Sequence, residues 1–153
     1  MNKIVIADAS CLIALDKINK LALLNQLFKQ TLVTPEVQLE FGAQLPKWIK
    51  IRSVKSNLQH QKLQEQLDEG EASAIILALE LKNALLIIDE KKGRKVAQKL
   101  GLTIIGTLKL LVLFKQAQLI PEVKPVLQQL ANCGFRFSQQ IADQLLKEAN
   151  ELS

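Results

Sequence analysis

Four acidic side chains stand where carboxylates can do chemistry. Asp8 closes the apolar run Ile4-Val5-Ile6-Ala7, and Asp89 closes Leu85-Leu86-Ile87-Ile88. Each run reads as a strand buried on both faces, and each is followed at once by a helical pattern. A parallel sheet would bring the two residues to one edge, where a pair of carboxylates can hold a divalent cation. Helix capping is the competing role, because an Asp in that position accepts a backbone N–H bond; for either residue alone the two roles weigh about equally. Glu71 follows Gly70 at the head of the most apolar helix, where dipole compensation worth ~0.3–1 kcal/mol also explains an acid. Glu40, between Leu39 and Phe41, falls late in a short helix, where an acid opposes the dipole. Its alternative is a solvated face.

Cations follow the second strand directly. Lys91, Lys92, Arg94 and Lys95 come just after Asp89, and the first two occupy a helix start where positive charge also opposes the dipole. Contact with nucleic-acid phosphates accounts for that placement; a solvated basic face is the alternative. Lys47-Trp48-x-Lys50-x-Arg52 is a second basic segment whose Trp could stack on a base, although core packing is the commoner role and the one assigned here. The net charge of +5 and pI near 9.3 favour phosphate-bearing partners through counterion release, a weak signal taken alone. The lone His60 has no partner ligand. Cys11 and Cys133 show no CxxC and no histidine cluster, so both are expected to be reduced core residues, which points to the cytoplasm. Ser10 stands where an Asp-x-Asp phosphatase would carry its second acid, which contradicts that class.

The elements that must position these residues alternate between strand and helix. After the first strand, residues 10 to 29 keep helical spacing as two short helices hinged near Asn19. Gln30 to Val33 reads as a strand, and Thr34-Pro35-Glu36 opens a helix over 35 to 43 with a cap, a first-turn proline and a first-turn acid. Trp48 to Arg52 alternates like an edge strand, and Ser56 to Leu67 like a polar helix. Gly70-Glu71 opens the apolar helix, Leu85 to Ile88 is an interior strand, and Lys91 to Leu100 is a helix stopped by Gly101. Thr103 to Ile105 is a further strand, Leu108 to Ala117 a helix, and Pro121 begins a C-terminal helical section. In its last helix Ser138 is the cap and Ile141, Leu145 and Leu146 are the buried stripe. Alternating strands and helices indicate a mostly parallel sheet of four to five strands covered on both faces. With 48% hydrophobic residues, no repeat and no Pro/Gly linker, residues 1–153 are expected to form one domain. No signal peptide and no membrane span is expected: the first apolar run is cut by Asp8, and Leu108 to Phe114 is too short to span.

Ile6-Ala7-Asp8-Ala9-Ser10, Val37-x-x-Glu40, Gly70-Glu71-Ala72-Ser73-Ala74-Ile75 and Leu85-Leu86-Ile87-Ile88-Asp89-Glu90-Lys91-Lys92-Gly93-Arg94 resemble, in that order, the motifs of PIN domains. The match is closest to the VapC-like toxins of toxin–antitoxin pairs. It continues through Leu100 to Thr107 and Gly134-Phe-Arg-Phe-Ser138, and so covers nearly the whole chain. The resemblance implies a three-layer α/β/α sandwich and a metal-dependent endoribonuclease acting on single-stranded RNA. Asp8, Glu40, Glu71 and Asp89 would be its catalytic residues and would bind Mg²⁺ or Mn²⁺, with Ser10 supporting them through a hydroxyl hydrogen bond. A set of oxygen ligands without Cys or His suits hard magnesium better than zinc. Glu90 stands where the branch commonly carries a second Asp; the extra methylene moves its carboxylate, which leaves Glu90 an additional candidate ligand. Lys91, Lys92, Arg94 and Lys95 would bind the RNA. The reaction implied is in-line attack of water on phosphate while the divalent ion neutralises developing charge, leaving 5′-phosphate and 3′-hydroxyl ends. A homodimer bound by a small antitoxin protein, with an antitoxin Arg reaching the acidic crevice, is the implied assembly. The alternative is a catalytically reduced PIN-like module that binds RNA or protein, against which stand the four acids.

Overall fold

The computed structural model describes residues 1–55 and 57–152. In chain order the elements are β1 (Ile4–Ala7), α1 (Ala9–Lys17), α2 (Ala22–Leu27), β2 (Gln30–Val33), α3 (Pro35–Phe41), β3 (Ile49–Ile51) and α4 (Leu58–Gln66). Then come α5 (Glu69–Leu81), β4 (Leu85–Ile87), α6 (Lys91–Lys99), β5 (Ile104–Ile105), α7 (Thr107–Gln116), α8 (Val123–Asn132) and α9 (Gln139–Glu148). The five strands form one wholly parallel sheet in the order β3-β2-β1-β4-β5. The chain order reverses at β1, whose neighbours are β2 on one side and β4 on the other. At such a switch point the crevice beyond the carboxyl ends is open to a ligand.

Alternation along the strands divides the interior in two. Val5, Ala7, Val33, Leu85 and Ile87 face a core shared with α1, α2, α7, α8 and α9, whereas Ile6, Leu32, Leu86 and Ile88 face a second core under α4, α5 and α6. This is why the strands read as continuous apolar runs: both faces are covered. Helix α5 is buried along Gly70–Ala78, which explains its unbroken apolar composition.

Local chemistry sets the helix ends. Thr34 caps α3 by accepting from the Val37 amide, Pro35 takes the first turn, and Gly42 closes the helix at φ +76°, a left-handed turn suited to glycine. Asn19, at φ +58°, marks the break between α1 and α2. The carboxylate of Glu151 accepts from the amides of Val123 and Lys124 at the head of α8 and from Lys115 of α7, tying the end of the helical section to α7 and α8.

Several expectations need correction. Cys133 is exposed rather than in the core, because it is the C-cap of α8 beside Gly134; Cys11 is buried as expected. Ile141 is 50% exposed and Ala142 takes its place in the α9 stripe, since the cap at Ser138 turns Ile141 outward. Helix α5 begins at Glu69 under an Asp68 cap, ahead of Gly70. Ser56 lies outside the described residues; the polar helix runs from Leu58 behind an Asn57 cap. Trp48 is partly buried against the larger core.

Candidate active site

The acids arrive at the carboxyl edge of the sheet from four elements. Ala7 and Ile87 are register partners, and the Asp8 amide donates to the Ile87 carbonyl at 3.2 Å, so Asp8 and Asp89 leave adjacent parallel strands side by side. Glu40 comes from α3 and Glu71 from the first turn of α5. The two helix starts are joined by a relay: the Val37 amide donates to Thr34 Oγ1, which lies 2.7 Å from Ser73 Oγ, and Ser73 donates to the Gly70 carbonyl. Since Ser73 spends its proton on Gly70, Thr34 is the donor to Ser73. The relay is buried and ties the head of α3 to the first turn of α5.

Each carboxylate is held differently. Asp8 is 4% exposed and caps α1 through Oδ1, which accepts from the Ala9 amide at 2.8 Å. Capping and a place in the cluster are therefore compatible. Asp89 is held by Thr107, whose amide donates to Oδ1 at 2.8 Å and whose hydroxyl donates to Oδ2 at 2.6 Å; Ser10 Oγ adds a bond to Oδ2 at 3.3 Å. Glu71 is 6% exposed and its Oε2 has no hydrogen-bond partner. Glu40 is exposed, with Oε1 directed at the head of α5 near Gly70. Glu90 is exposed, makes no cap bond, and lies near enough to act on Glu71.

Burial and mutual repulsion raise the proton affinity of this group. Burial pushes Asp8 up to about 7, the Ala9 amide opposes it, and the charges of Glu40, Asp68 and Asp89 add to it. Glu71 is pushed up to about 8 by burial, then by Asp68, then by the charges of Asp8 and Glu90. Glu40 is raised by burial and by Asp68. Buried acids without cationic partners are costly, and such clusters mark functional edges more often than structural ones.

Three glycines give the carboxylates their room. A Cβ on Gly93 would lie 2.6 Å from Glu71 Oε2 and 2.8 Å from Ile88 Cδ1. On Gly70 it would lie 3.1 Å from Glu40 Oε1, and on Gly106 it would lie 3.0 Å from both Asp89 Oδ1 and Arg94 Nη1. Arg94 is half-buried and donates to the Ile88 carbonyl at 2.9 Å. It is thus anchored beside Asp89 and is not a free surface cation, in contrast to Lys91, Lys92 and Lys95, which are exposed.

The donor set fits a hard divalent ion. It is all oxygen, it contains an orphaned buried oxygen in Glu71 Oε2, and its helices carry glycines where a Cβ would intrude. Among the described residues no three acidic, histidine or cysteine side chains already stand as a finished cage, so an ion would have to draw the acids inward. His60 is buried in α4 and stands apart from the acids' charge network.

Sequence reasoning overlooked Asp68, Thr107, Gly93 and Gly106. Asp68 caps α5 by accepting from the Glu71 amide at 2.8 Å and acts on Asp8, Glu40 and Glu71. Its signal was present, since Asp68-x-x-Glu71 has the spacing of a capping box. Thr107 and the glycines carry no local signal, because their roles exist only after distant elements meet.

The acids thus gather at the switch point of a parallel sheet, the edge where such folds bind ligands. The chain belongs to the PIN-domain family, whose model matches residues 4–151. PIN domains are generally nucleases that use divalent metals. No curated protein matches the chain. Among the described residues no helix is long and apolar enough to cross a membrane.

Proposed function

We propose that this PIN domain is an endoribonuclease that hydrolyses single-stranded RNA with Mg²⁺ or Mn²⁺, and that it is the VapC-like toxin of a toxin–antitoxin pair. The observation that carries the catalytic reading is the convergence of Asp8, Glu40, Glu71 and Asp89 on one edge, with a buried, unpartnered oxygen on Glu71. Asp8, Glu71 and Asp89 would hold the ion, with Glu40 and Glu90 reaching it from the exposed side. The ion supplies charge neutralisation at the phosphoryl oxygens and makes water a stronger nucleophile.

The chain's own residues do the positioning. Thr107 and Ser10 hold the Asp89 carboxylate by hydrogen bonds to both oxygens, and the Thr34–Ser73 relay ties the head of α3 to α5. The Ala9 amide, donating to Oδ1, orients the Asp8 carboxylate at the edge as a ligand. Lys91, Lys92 and Lys95 would meet RNA phosphates as α6 leaves the edge, so RNA affinity should fall as salt rises. Arg94 serves from its anchored place beside Asp89. A small antitoxin crossing the crevice and a homodimeric assembly belong to the same reading, by analogy with VapC-like proteins.

The test is cleavage of a labelled single-stranded RNA. Mg²⁺ should support it, EDTA should stop it, and Asp8→Asn should reduce it by about a hundredfold or more with the fold intact by circular dichroism. Cleavage persisting in purified Asp8→Asn would refute the mechanism.

A further inference from the structure

Ser10 belongs to two surfaces at once. Its hydroxyl donates to Asp89, and its side also forms one end of an apolar pocket of about 260 Å³. Helix α1 supplies Ser10, Ile13, Ala14 and Lys17 to that pocket, the spacing of one helical stripe. The stripe runs from the acidic edge to an exposed cation about 10 Å further along the helix.

The opposite wall is built by the turn that ends α8. Gly134, at φ +92°, lets its own amide donate to the Ala131 carbonyl at 3.1 Å and the Phe135 amide donate to the Leu130 carbonyl at 3.0 Å. That is a Schellman motif, which brings the side chain after the turn back onto the helix it closes. Phe135 and Leu130 both line the pocket, Phe135 half-buried and Leu130 fully so. The aromatic of the Gly134-Phe-Arg-Phe-Ser138 segment thus faces the α1 stripe, with exposed Arg136 beside it.

We infer that this pocket receives one unstacked RNA base beside the phosphate held at the acidic edge, an inference that rests on the nuclease reading. The aromatic wall suits a base face, since base–aromatic stacking accepts every base. Charge supports the same occupant: the lining contains Lys17 and no acid, so a phosphate beyond the base meets a cation. The size agrees, as about 260 Å³ falls below the ~300–1,000 Å³ of pockets for drug-sized ligands and suits a single planar ring system. A protein segment fits less well, because the pocket offers no open strand edge for a peptide backbone and is too small for a helix face.

Cys133 gives a direct way to close the pocket. It lines the wall and is exposed, whereas Cys11 is buried with its thiol pushed up by burial and so stays protonated and unreactive. The experiment measures fluorescence anisotropy of wild-type protein with Ca²⁺ in place of Mg²⁺, so that a hard ion can still meet the phosphate at the acidic edge, using two labelled probes, a mixed-sequence RNA tetramer and an abasic ribose-phosphate oligomer of equal length. The base-bearing probe should bind about fivefold or more tightly than the abasic one. N-ethylmaleimide on Cys133 should erase that preference and leave abasic affinity unchanged, and Phe135→Ala should do the same; thermal melts check that both proteins remain folded. Equal binding of the two probes, or a preference that survives the blocked thiol, overturns the pocket. If blocking Cys133 changes only self-association by light scattering, the pocket is a protein contact and the inference also fails. Mg²⁺-dependent cleavage, assayed in parallel, separates the two readings: cleavage without base preference removes only the pocket, and loss of both removes both.

Discussion

Glu71, in the first turn of α5, and Glu151, beyond the end of α9, are the same side chain in opposite electrostatic surroundings. Glu151 has a side chain 10% exposed, and burial alone would raise its proton affinity. The Val123 and Lys124 amides and the Lys115 ammonium outweigh burial and hold it below the ordinary carboxylate range. Glu71 is comparably buried, is surrounded by acids, and keeps Oε2 without a donor. The chain is therefore able to satisfy a buried carboxylate where the fold needs a tie, and at the sheet edge it leaves one unsatisfied. An unpaired buried acid costs stability, which a cation arriving with a substrate can return.

The comparison breaks if exchanging the two charges has the same consequence. Glu71→Gln should abolish Mg²⁺-dependent RNA cleavage by about a hundredfold or more, yet leave the metal-free melting temperature unchanged or raise it by a few degrees. Glu151→Ala should do the reverse. It loses hydrogen bonds to a charged group at the head of α8, about 2–3 kcal/mol, or roughly 5–10 °C at this chain length, while cleavage measured well below that melting point stays near wild type. Melting curves and initial cleavage rates on both variants make the check; a destabilised Glu71→Gln with normal cleavage would dissolve the contrast.

A smaller effect tests whether the room around Glu71 is as specific as its charge. Gly93→Ala gains about 1 kcal/mol of helix propensity, but its Cβ meets Glu71 Oε2 at 2.6 Å and Ile88 Cδ1 at 2.8 Å, an overpacking cost of about 1–3 kcal/mol. The net change in stability should be within about 2 kcal/mol, with a weaker melting shift on adding Mg²⁺ because the displaced carboxylate no longer meets the ion. In the Gly93→Ala/Glu71→Ala double variant the clash with the carboxylate is gone. Its stability should exceed the sum of the single changes, a coupling of about 1 kcal/mol measurable by a double-mutant cycle. Additive changes would mean that Glu71 does not fill the space the glycine leaves.

How far the sequence reveals this site depends on whether a residue's role is local. The strands were legible because burial on both faces makes Ile4–Ala7 and Leu85–Ile87 continuous apolar runs, and the helices between them indicated parallel pairing, while the order β3-β2-β1-β4-β5 came only with the fold. Asp8 and Asp89 were legible for the same reason, as the polar stops to those runs. Cys133 and Ile141 were misplaced because apolar spacing does not show which side of a helix end is covered. Thr107 is eighteen residues from the Asp89 it holds, and Gly93 is remote in sequence from the Glu71 it admits, so neither leaves a periodic trace. Arg94 shows the remaining difficulty: a run of cations looks uniform in sequence, while the fold anchors one of them on the Ile88 carbonyl and leaves its neighbours exposed.

A change of pH distinguishes the two carboxylates by sign. In the metal-free protein Asp8 is raised to about 7 and Glu71 to about 8, against roughly 4 for carboxylates in an unfolded chain. Between about pH 4 and pH 8 the folded state binds protons that the unfolded state has already released, so stability falls as pH rises through that window and levels off above it. Glu151 has the opposite sign: its lowered proton affinity contributes stability above the unfolded value, and that contribution disappears as pH falls through the folded value. Melting temperatures without divalent ions should therefore decline from pH 5 to pH 8 in wild type, and the decline should flatten in Asp8→Asn/Glu71→Gln. Glu151→Gln should keep the decline and lose stability relative to wild type. Because a cation competes with protons for the same oxygens, the melting shift produced by Mg²⁺ should be small at pH 5 and grow towards pH 8. A metal-free profile already flat in wild type would show that Asp8 and Glu71 ionise as ordinary surface acids, and the contrast with Glu151 would then rest on geometry alone.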